Sequence, residues 1–149
     1  MKLSDLFFHW EVVRRQMVEA VSRLSQEQLD WLPTNGKNSI ADLLRHIAET
    51  EIWWFGVVVQ GNKGLGDVSR NDAPDLQSIL RVLENSHEYV ADILGRESTD
   101  SWDTRIFTLP DNEKLTLRWI VWHTIEHEMR HRGQIFMLMR LQEITPPNV

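Results

Sequence analysis

The sequence predicts an all-α fold, a four-helix bundle with a short hairpin-like excursion before the last helix. Four stretches repeat apolar residues every three or four positions, which is the period of an amphipathic helix. Turns that contain glycine and proline separate the first three stretches, and a longer connection at 101–115 precedes the fourth. A length of 149 residues suits a single hydrophobic core, so we expect one domain over residues 1–149.

The first helix is predicted from about Ser4 to Leu24. Ser4 is the expected N-cap, and Asp5 suits the positive end of the helix dipole. The side chains expected to face the core are those of Leu6, Trp10, Val13, Met17, Ala20 and Leu24.

The second helix follows a turn signal at 33–36 and is predicted to run to about Gln60. Its start resembles a capping box in which Ser39 is the N-cap and Asp42 replaces the usual Glu. The inward positions are Leu43, Ile47, Trp54 and Val58.

The third and fourth helices are predicted at about Asp75–Leu94 and Thr116–Leu141. The apolar stripe of the third consists of Leu76, Ile79, Leu80, Leu83, Val90 and Leu94. Between these helices, residues 106–109 and 114–117 flank a turn at 110–113, a pattern typical of a short β-hairpin over one end of the bundle.

Composition excludes several classes of function. The net charge of −6, without a basic cluster, argues against a nucleic-acid partner. The longest apolar run, Trp53 to Val59, is too short to span a bilayer, so we expect no membrane partner. The first residues lack a secretory apolar segment, which makes a cytoplasmic location the default expectation. The chain has no cysteine, so any metal must use nitrogen or oxygen ligands.

The fourth helix carries three of the six histidines, at four-residue intervals. One turn separates His127 from His131, so their imidazoles share a face about 6 Å apart along the axis, which suits two ligands of one metal ion. A tetrahedral site needs at least one more protein ligand. His123 lies about 12 Å along the axis from His131 and cannot join both in one compact site.

The second helix offers the third ligand. His46 shares a helix face with Leu43, Thr50 and Trp53. A histidine on an apolar face is more often a hydrogen-bonded core residue than a ligand. Here the facing pair on another helix favours a ligand, because metal sites in bundles are built from inward side chains on facing helices.

The fourth helix has two apolar faces. On the first, His127, Glu128 and His131 lie among aliphatic residues and are expected to point into the bundle; the others are Leu117, Ile120, Val121, Thr124, Ile135, Leu138 and Met139. The second face predicts a homodimer seam, in which Gly133 would allow close approach of a second copy. Its other members are Trp119, Trp122, Met129, Phe136 and Met137.

The pattern His123-x-x-x-His127-Glu128-x-x-His131-Arg132-Gly133-Gln134-Ile135 resembles the last-helix signature of the DinB/YfiT-like family. The resemblance extends to Leu43-Leu44-Arg45-His46-Ile47-Ala48 and to Leu24-Ser25-x-x-Gln28-Leu29, and it covers nearly the whole chain. It implies an up-down-down-up four-helix bundle, commonly dimeric. It also implies a divalent metal, zinc or nickel, held by three histidines, which here are His46, His127 and His131. Some relatives are S-transferases that use bacillithiol, mycothiol or glutathione, and many have no assigned reaction.

The favoured function is a metal-dependent enzyme that acts on a small molecule, as a thiol S-transferase or a hydrolase. Glu128 is the candidate general base, with a salt bridge or support of the metal ligands as the alternative. His123 is a candidate for a supporting or substrate-side role, or else a hydrogen-bonded edge residue. If a low-molecular-weight thiol is the cofactor, it supplies the nucleophile that a chain without cysteine lacks.

Three alternatives stay open at this stage. A non-catalytic bundle could hold a metal or ligand for storage, sensing or structure, and a plain interaction module could use the histidines as a hydrogen-bonded core cluster. The segment 127–131 also matches the H-E-x-x-H motif of zinc metalloproteases, a remote alternative because no third histidine follows it.

The remaining histidines and several tryptophans have structural interpretations. We expect His87 to pack at the core or its rim, and His9 to be exposed or packed. Trp10, Trp53 and Trp54 are expected either in the core or as the wall of an apolar substrate pocket.

Overall fold

A computed structural model describes residue 5 and residues 7–148 as a mostly helical fold, and it confirms the predicted bundle. The long helices are α1 (Phe8–Val21), α3 (Ile40–Glu51), α4 (Leu76–Arg96) and α5 (Leu117–Leu141). A short helix α2 (Gln26–Asp30), a π-helical segment (Ile52–Val59) and a 3₁₀ turn (Thr99–Ser101) complete the helical structure. No helix within the described ranges is long and apolar enough to cross a membrane.

Contacts between the long helices give the up-down-down-up order. On α1, Phe7 meets Trp122 and Gln16 meets Arg132, so α1 and α5 run in the same direction. The helix α4 runs against α1, because Trp10 contacts His87 while Arg14 reaches the carbonyl of Leu83. The helix α3 runs against α5, since it brings His46 to His131 and Trp54 to Trp119. The loop 60–75 is the longer crossover that lets α3 and α4 run in the same direction.

The predicted cap at Ser39 forms, and α5 has a cap that was not predicted. The Ser39 hydroxyl accepts from the backbone N–H of Asp42, and the Asp42 carboxylate accepts from the Ser39 N–H, which completes the capping box. Thr116 caps α5 through the N–H of Trp119. Ser4 and Leu6 lie outside the described residues; α1 begins at Phe8, and its N-cap residue Phe7 makes no side-chain cap.

Two helical features departed from the predicted pattern. The second predicted helix is α-helical only to Glu51 and continues as the π-helical segment, in which Gln60 N–H reaches the Phe55 carbonyl. The apolar run in this segment has no clear period, so the sequence did not indicate the wider winding. The short helix α2 was not predicted, although its Ser25–Gln28 pair is a regular capping box.

The excursion before α5 is the predicted hairpin. Strands β1 (Ile106–Thr108) and β2 (Lys114–Thr116) pair antiparallel, with Phe107 opposite Leu115. Leu115 is buried against the same apolar cluster as Trp102 and Leu117, so the hairpin closes one end of the bundle and leads directly into α5.

The second apolar face of α5 is only partly exposed. Trp119, Trp122 and Met137 are 42%, 53% and 63% exposed, as a seam between copies would require. The prediction was wrong for Phe136, which is buried in the core with Met17 and Ile135 because the core wraps further around the end of α5 than a straight stripe suggests. The homodimer itself stays a prediction.

A substitution at Gly133 tests the predicted dimer seam. A Cβ atom added there meets nothing within 4 Å beyond the adjoining turns of its own helix, and leucine favours a helix over glycine by about 1 kcal/mol. We expect the Gly133→Leu variant to fold at least as stably as the native chain but to dissociate a dimer at micromolar concentration in sedimentation velocity. A native chain that sediments as a monomer would contradict the seam.

Candidate metal centre

Three histidine side chains from two facing helices converge on one point. His46 comes from α3, and His127 and His131 come from successive turns of α5. The Nε2 atom of His127 lies 3.0 Å from Nε2 of His46 and 3.0 Å from Nε2 of His131. All three ligand atoms lie within 4.8 Å of one another, so the residues that the sequence proposed as a ligand set form a group that could hold a metal ion.

The spacing of these nitrogens suits a tetrahedral ion. Metal–nitrogen bonds of about 2.0–2.1 Å at tetrahedral angles place two ligand nitrogens about 3.3 Å apart. The observed separations of 3.0 Å are close to that value. No fourth side-chain ligand within residue 5 and residues 7–148 joins the group, so the protein would leave at least one coordination position free.

Neighbouring side chains orient two of the imidazoles. Nδ1 of His131 lies 2.6 Å from the Gln134 side-chain oxygen, which can only accept, so Nδ1 carries the proton and Nε2 presents a lone pair. Nδ1 of His46 lies 3.5 Å from a carboxylate oxygen of Glu49, whose other oxygen accepts from the backbone N–H of Val68. Such partners on the far ring nitrogen are the usual support of metal-bound histidines.

The local environment keeps two of these histidines neutral. Burial, together with the nearby His131 and His46, lowers the pKa of His127 to about 3. Burial and the charges of His46 and Arg130 also lower the pKa of His131, against the opposing hydrogen bond to Gln134. A neutral imidazole has the lone pair that a metal requires, so this pair needs no deprotonation near neutral pH.

The centre lies at the edge of the bundle and not in its interior, which corrects the expected inward position of the histidines. The side chain of His46 is 51% exposed, and His127 and His131 are half-buried. On a helix, residues 127 and 131 point about 100° and 60° away from residue 128, on the same side of it. Glu128 occupies the inward direction, so both histidines are turned toward α3 and solvent.

Glu128 lies in a separate, buried group of charges. Its carboxylate accepts hydrogen bonds from Trp10 Nε1 at 2.5 Å and from Arg14 Nε at 2.7 Å, and it is 1% exposed. The same Arg14 donates through Nη2 to Glu51 at 2.7 Å and through Nη1 to the Leu83 carbonyl at 3.0 Å. These contacts favour the salt-bridge interpretation of Glu128 over a general base, because its oxygens are already occupied away from the histidines.

His87 completes this buried group. Its Nδ1 lies 2.8 Å from Glu51 and its Nε2 lies 2.9 Å from Glu11, so it bridges the interior to the surface at the rim where it was expected. Burial alone would lower the pKa of His87, but the hydrogen bond to Glu51 and the charges of Glu51 and Glu11 raise it. Burial alone would raise the pKa of Glu51, but the charge of Arg14 and the hydrogen bond from His87 hold it low. One guanidinium faces two carboxylates here, so a protonated His87 makes the group neutral.

The remaining candidates do not join the three histidines. His123 stacks on Trp119 with ring centroids 4.6 Å apart, and its ring lies 6.4 Å from that of His127. His9 is exposed. Trp10 and Trp54 are buried, as the core interpretation predicted, whereas Trp53 is 41% exposed.

The sequence model of the DinB superfamily matches residues 9–135, a range that includes all three histidines. The chain belongs to the DinB superfamily. A protein of uncharacterised function from Bacillus subtilis strain 168, YjoA, is similar to it, with 24% identity over 139 residues that cover 92% of this chain and 88% of YjoA. The fold is also similar to the crystal structure of a DinB-like protein from Bacillus cereus, with a TM-score of 0.76, 21% identity, and coverage of 95% of this chain and 93% of the other.

Four residues that contact the three histidines or belong to the buried charged group were not predicted from the sequence. Glu49 and Gln134 each stand three residues after a predicted ligand, and this spacing on a helix could have indicated their role. Arg14 and Glu51 are charged residues on faces that are otherwise apolar. A charged residue on an otherwise apolar helix face needs a buried partner, and this pattern could have indicated the buried charged group.

Removing Arg14 tests how far the bundle depends on this buried group. The Arg14→Leu variant leaves Glu51 and Glu128 buried without their cation, which should lower the free energy of unfolding by about 3–5 kcal/mol. Arg15→Leu, at the exposed neighbouring position, is the matched control and should change it by less than about 0.5 kcal/mol. Equal effects of the two changes in urea unfolding would contradict the assigned role of Arg14.

The pH dependence of stability tests the assignment of His87. The pKa of His87 in the folded state is raised above the ordinary value of 6.5. Protonation of His87 therefore stabilises the fold fully below about pH 6.5, and this contribution is lost as the pH rises through the folded-state pKa. The stability difference between the native chain and His87→Gln should therefore shrink as the pH rises above the ordinary histidine pKa of about 6.5. His9→Gln, at an exposed position, should track the native profile across the same range. A difference that is constant with pH would show that His87 does not carry this charge.

Proposed function

We propose that this chain is a divalent-metal-dependent enzyme that acts on a small molecule, with the metal held by His46, His127 and His131. The observation that carries the proposal is the convergence of three Nε2 atoms at a solvent-accessible edge. Three protein ligands and an open position are the arrangement of catalytic zinc sites, whereas structural sites are closed by a fourth protein ligand. Zinc and nickel both suit imidazole ligands.

The metal would supply acidity and charge that the side chains lack. When bound, a divalent ion lowers the pKa of a coordinated water or thiol and polarises an electrophile. The residues of the chain hold the three nitrogens at fixed spacing, and Gln134 and Glu49 keep two of the rings oriented. The Thr50 hydroxyl lies 3.4 Å from His127 Nε2 while it donates to the His46 carbonyl, so it borders the open side of the site.

The reaction class that we propose is transfer of a low-molecular-weight thiol or hydrolysis. The chain has no cysteine, so a nucleophilic sulfur would have to arrive with a cofactor such as bacillithiol, mycothiol or glutathione. His123, stacked on Trp119 one turn from His127, is the proposed substrate-side residue. The position of Glu128 supports a different role for it. Its carboxylate binds Arg14 of α1 and so links α1 to α5.

A non-catalytic metal-binding bundle is the second candidate. It would need only the three histidines, and the half-exposed position of His46 equally permits exchange of a stored or sensed ion. A metalloprotease has less support, because Glu128 of the H-E-x-x-H segment is turned into the core and not toward the histidines.

Metal content and turnover together test the proposal. Untagged native protein should contain about one zinc or nickel ion per chain by mass spectrometry, and His46→Ala and His131→Ala should each lose it. His9→Ala removes an exposed histidine and should keep the ion.

The same proteins are then assayed for thiol consumption with an electrophile and for ester or amide hydrolysis. Turnover that requires the ion and disappears in His46→Ala supports the enzyme. A stoichiometric ion without turnover across both assays favours the storage or sensing function. Retention of the ion in both histidine variants would overturn the site. Unchanged turnover in Glu128→Gln would remove the general-base role of that residue.

A further inference from the structure

Two depressions share part of their lining. One has a volume of about 520 Å³ and reaches His46, and the other has a volume of about 280 Å³ and reaches Gln134, the partner of His131. Lys37, Asn38 and Leu43 line both, so the two depressions form one groove, which reaches His46 of the three-histidine group. We call this the Lys37 groove.

The charges of the groove are unequally engaged. Arg70 donates to both carboxylate oxygens of Asp42, at 3.0 and 3.1 Å, and Arg45 donates to the same carboxylate. Glu49 accepts from Val68 N–H and faces His46. These charges therefore have partners within the protein, and they are poor candidates for binding a charged ligand.

Lys37 differs from the other charged residues of the groove. It is exposed, and within the described residues it makes no hydrogen bond or ion pair. The neighbouring Asn38 is also exposed and makes none, so an ammonium group and an amide stand together without partners. Both precede Ser39 at the N-terminus of α3, whose dipole adds positive potential. This end of the groove is complementary to an anion.

The other end of the groove is apolar. Pro33, Met137 and Leu141 line it. Met137 also belongs to the predicted dimer seam, so Pro33 and Leu141, which is 57% exposed, are the apolar surface left to a ligand. An alkyl or aryl group laid across them would remove this surface from water, which is favourable. The groove thus offers a cationic contact and an apolar contact on the two sides of the shared residues.

We propose that the Lys37 groove binds a small organic anion with an apolar body, the acidic group paired with Lys37 and the body lying on Pro33 and Leu141. The inference rests on the proposed function, because it assigns a substrate class to the same metal centre. A carboxylate and a phosphate monoester share the required chemistry. Lys37 is then the residue that selects anionic over neutral substrates.

Binding of hexanoate, followed by amide shifts in two-dimensional NMR, tests the groove without any reaction. The titration is made on the chain as purified, on the zinc-loaded chain and after chelation. Hexanamide has the same body without the charge, and acetate has the charge without the body. Lys37→Gln removes the cation, and Lys63→Gln, in the exposed loop 61–75, is the matched control.

We expect hexanoate to shift the amides of Asn38, Leu43 and Leu138 in all three preparations. Lys37→Gln should weaken hexanoate binding about two- to fivefold, since an ion pair at an exposed lysine makes only a modest contribution. Lys63→Gln should leave it unchanged, and hexanamide should bind Lys37→Gln and the native chain equally. Acetate should bind more weakly than hexanoate, and Leu141→Ser should reduce that difference.

Three results would overturn the groove. They are equal binding of hexanoate and hexanamide to the native chain, unchanged hexanoate binding in Lys37→Gln, and shifts confined to residues outside the groove. Binding that requires zinc and disappears in His46→Ala, but not in Lys37→Gln, would show that the carboxylate is only a metal ligand; it would overturn the groove and leave the metal centre intact. Binding that survives in His46→Ala supports the groove even if the proposed enzyme fails.

Discussion

Arg14 lies at the centre of the bundle, and the arrangement of the long helices depends on its contacts. Arg14 is 6% exposed, and its guanidinium binds Glu51 of α3, Glu128 of α5 and the Leu83 carbonyl of α4. A buried charge without partners is costly, so these contacts have to form together when the four helices pack. Apolar packing alone tolerates sliding of one helix along another, whereas a group of directed hydrogen bonds fixes the register.

That register also positions the three histidines. His46 stands five residues before Glu51, and His127 immediately precedes Glu128, so the two carboxylates that bind Arg14 belong to the same helices as the histidines. Fixing α3 against α5 in the interior brings the three Nε2 atoms together at the edge. The structure thus separates two tasks on neighbouring residues: Glu128 faces inward to hold the helices, and the histidines face outward where a small molecule can reach them.

Much of this was accessible from the sequence, and the reasons for the exceptions are physical. The cap at Ser39 and the hairpin depend on local chemistry that a short segment carries, so they could be predicted. The spacing of His127 and His131 determined their common face, the apolar face of the second helix offered His46 as the third ligand, and the family resemblance implied the same three residues. The inward direction of Glu128 was predicted from the apolar face that it shares, but its partners Arg14 and Trp10 could not be predicted, because they lie more than a hundred residues away in the chain. The π-helical winding of 52–59 likewise has no local signal in an apolar run.

X-ray absorption spectroscopy of the protein loaded with one equivalent of zinc tests most directly whether the three histidines form an open metal site. We expect a first coordination shell of three imidazole nitrogens at about 2.0–2.1 Å and at least one exchangeable oxygen or thiol ligand. The shell should lose an imidazole in His46→Ala. A shell closed by four protein ligands would contradict the open catalytic centre, and a shell without three imidazoles would contradict the convergence of His46, His127 and His131 as a metal site.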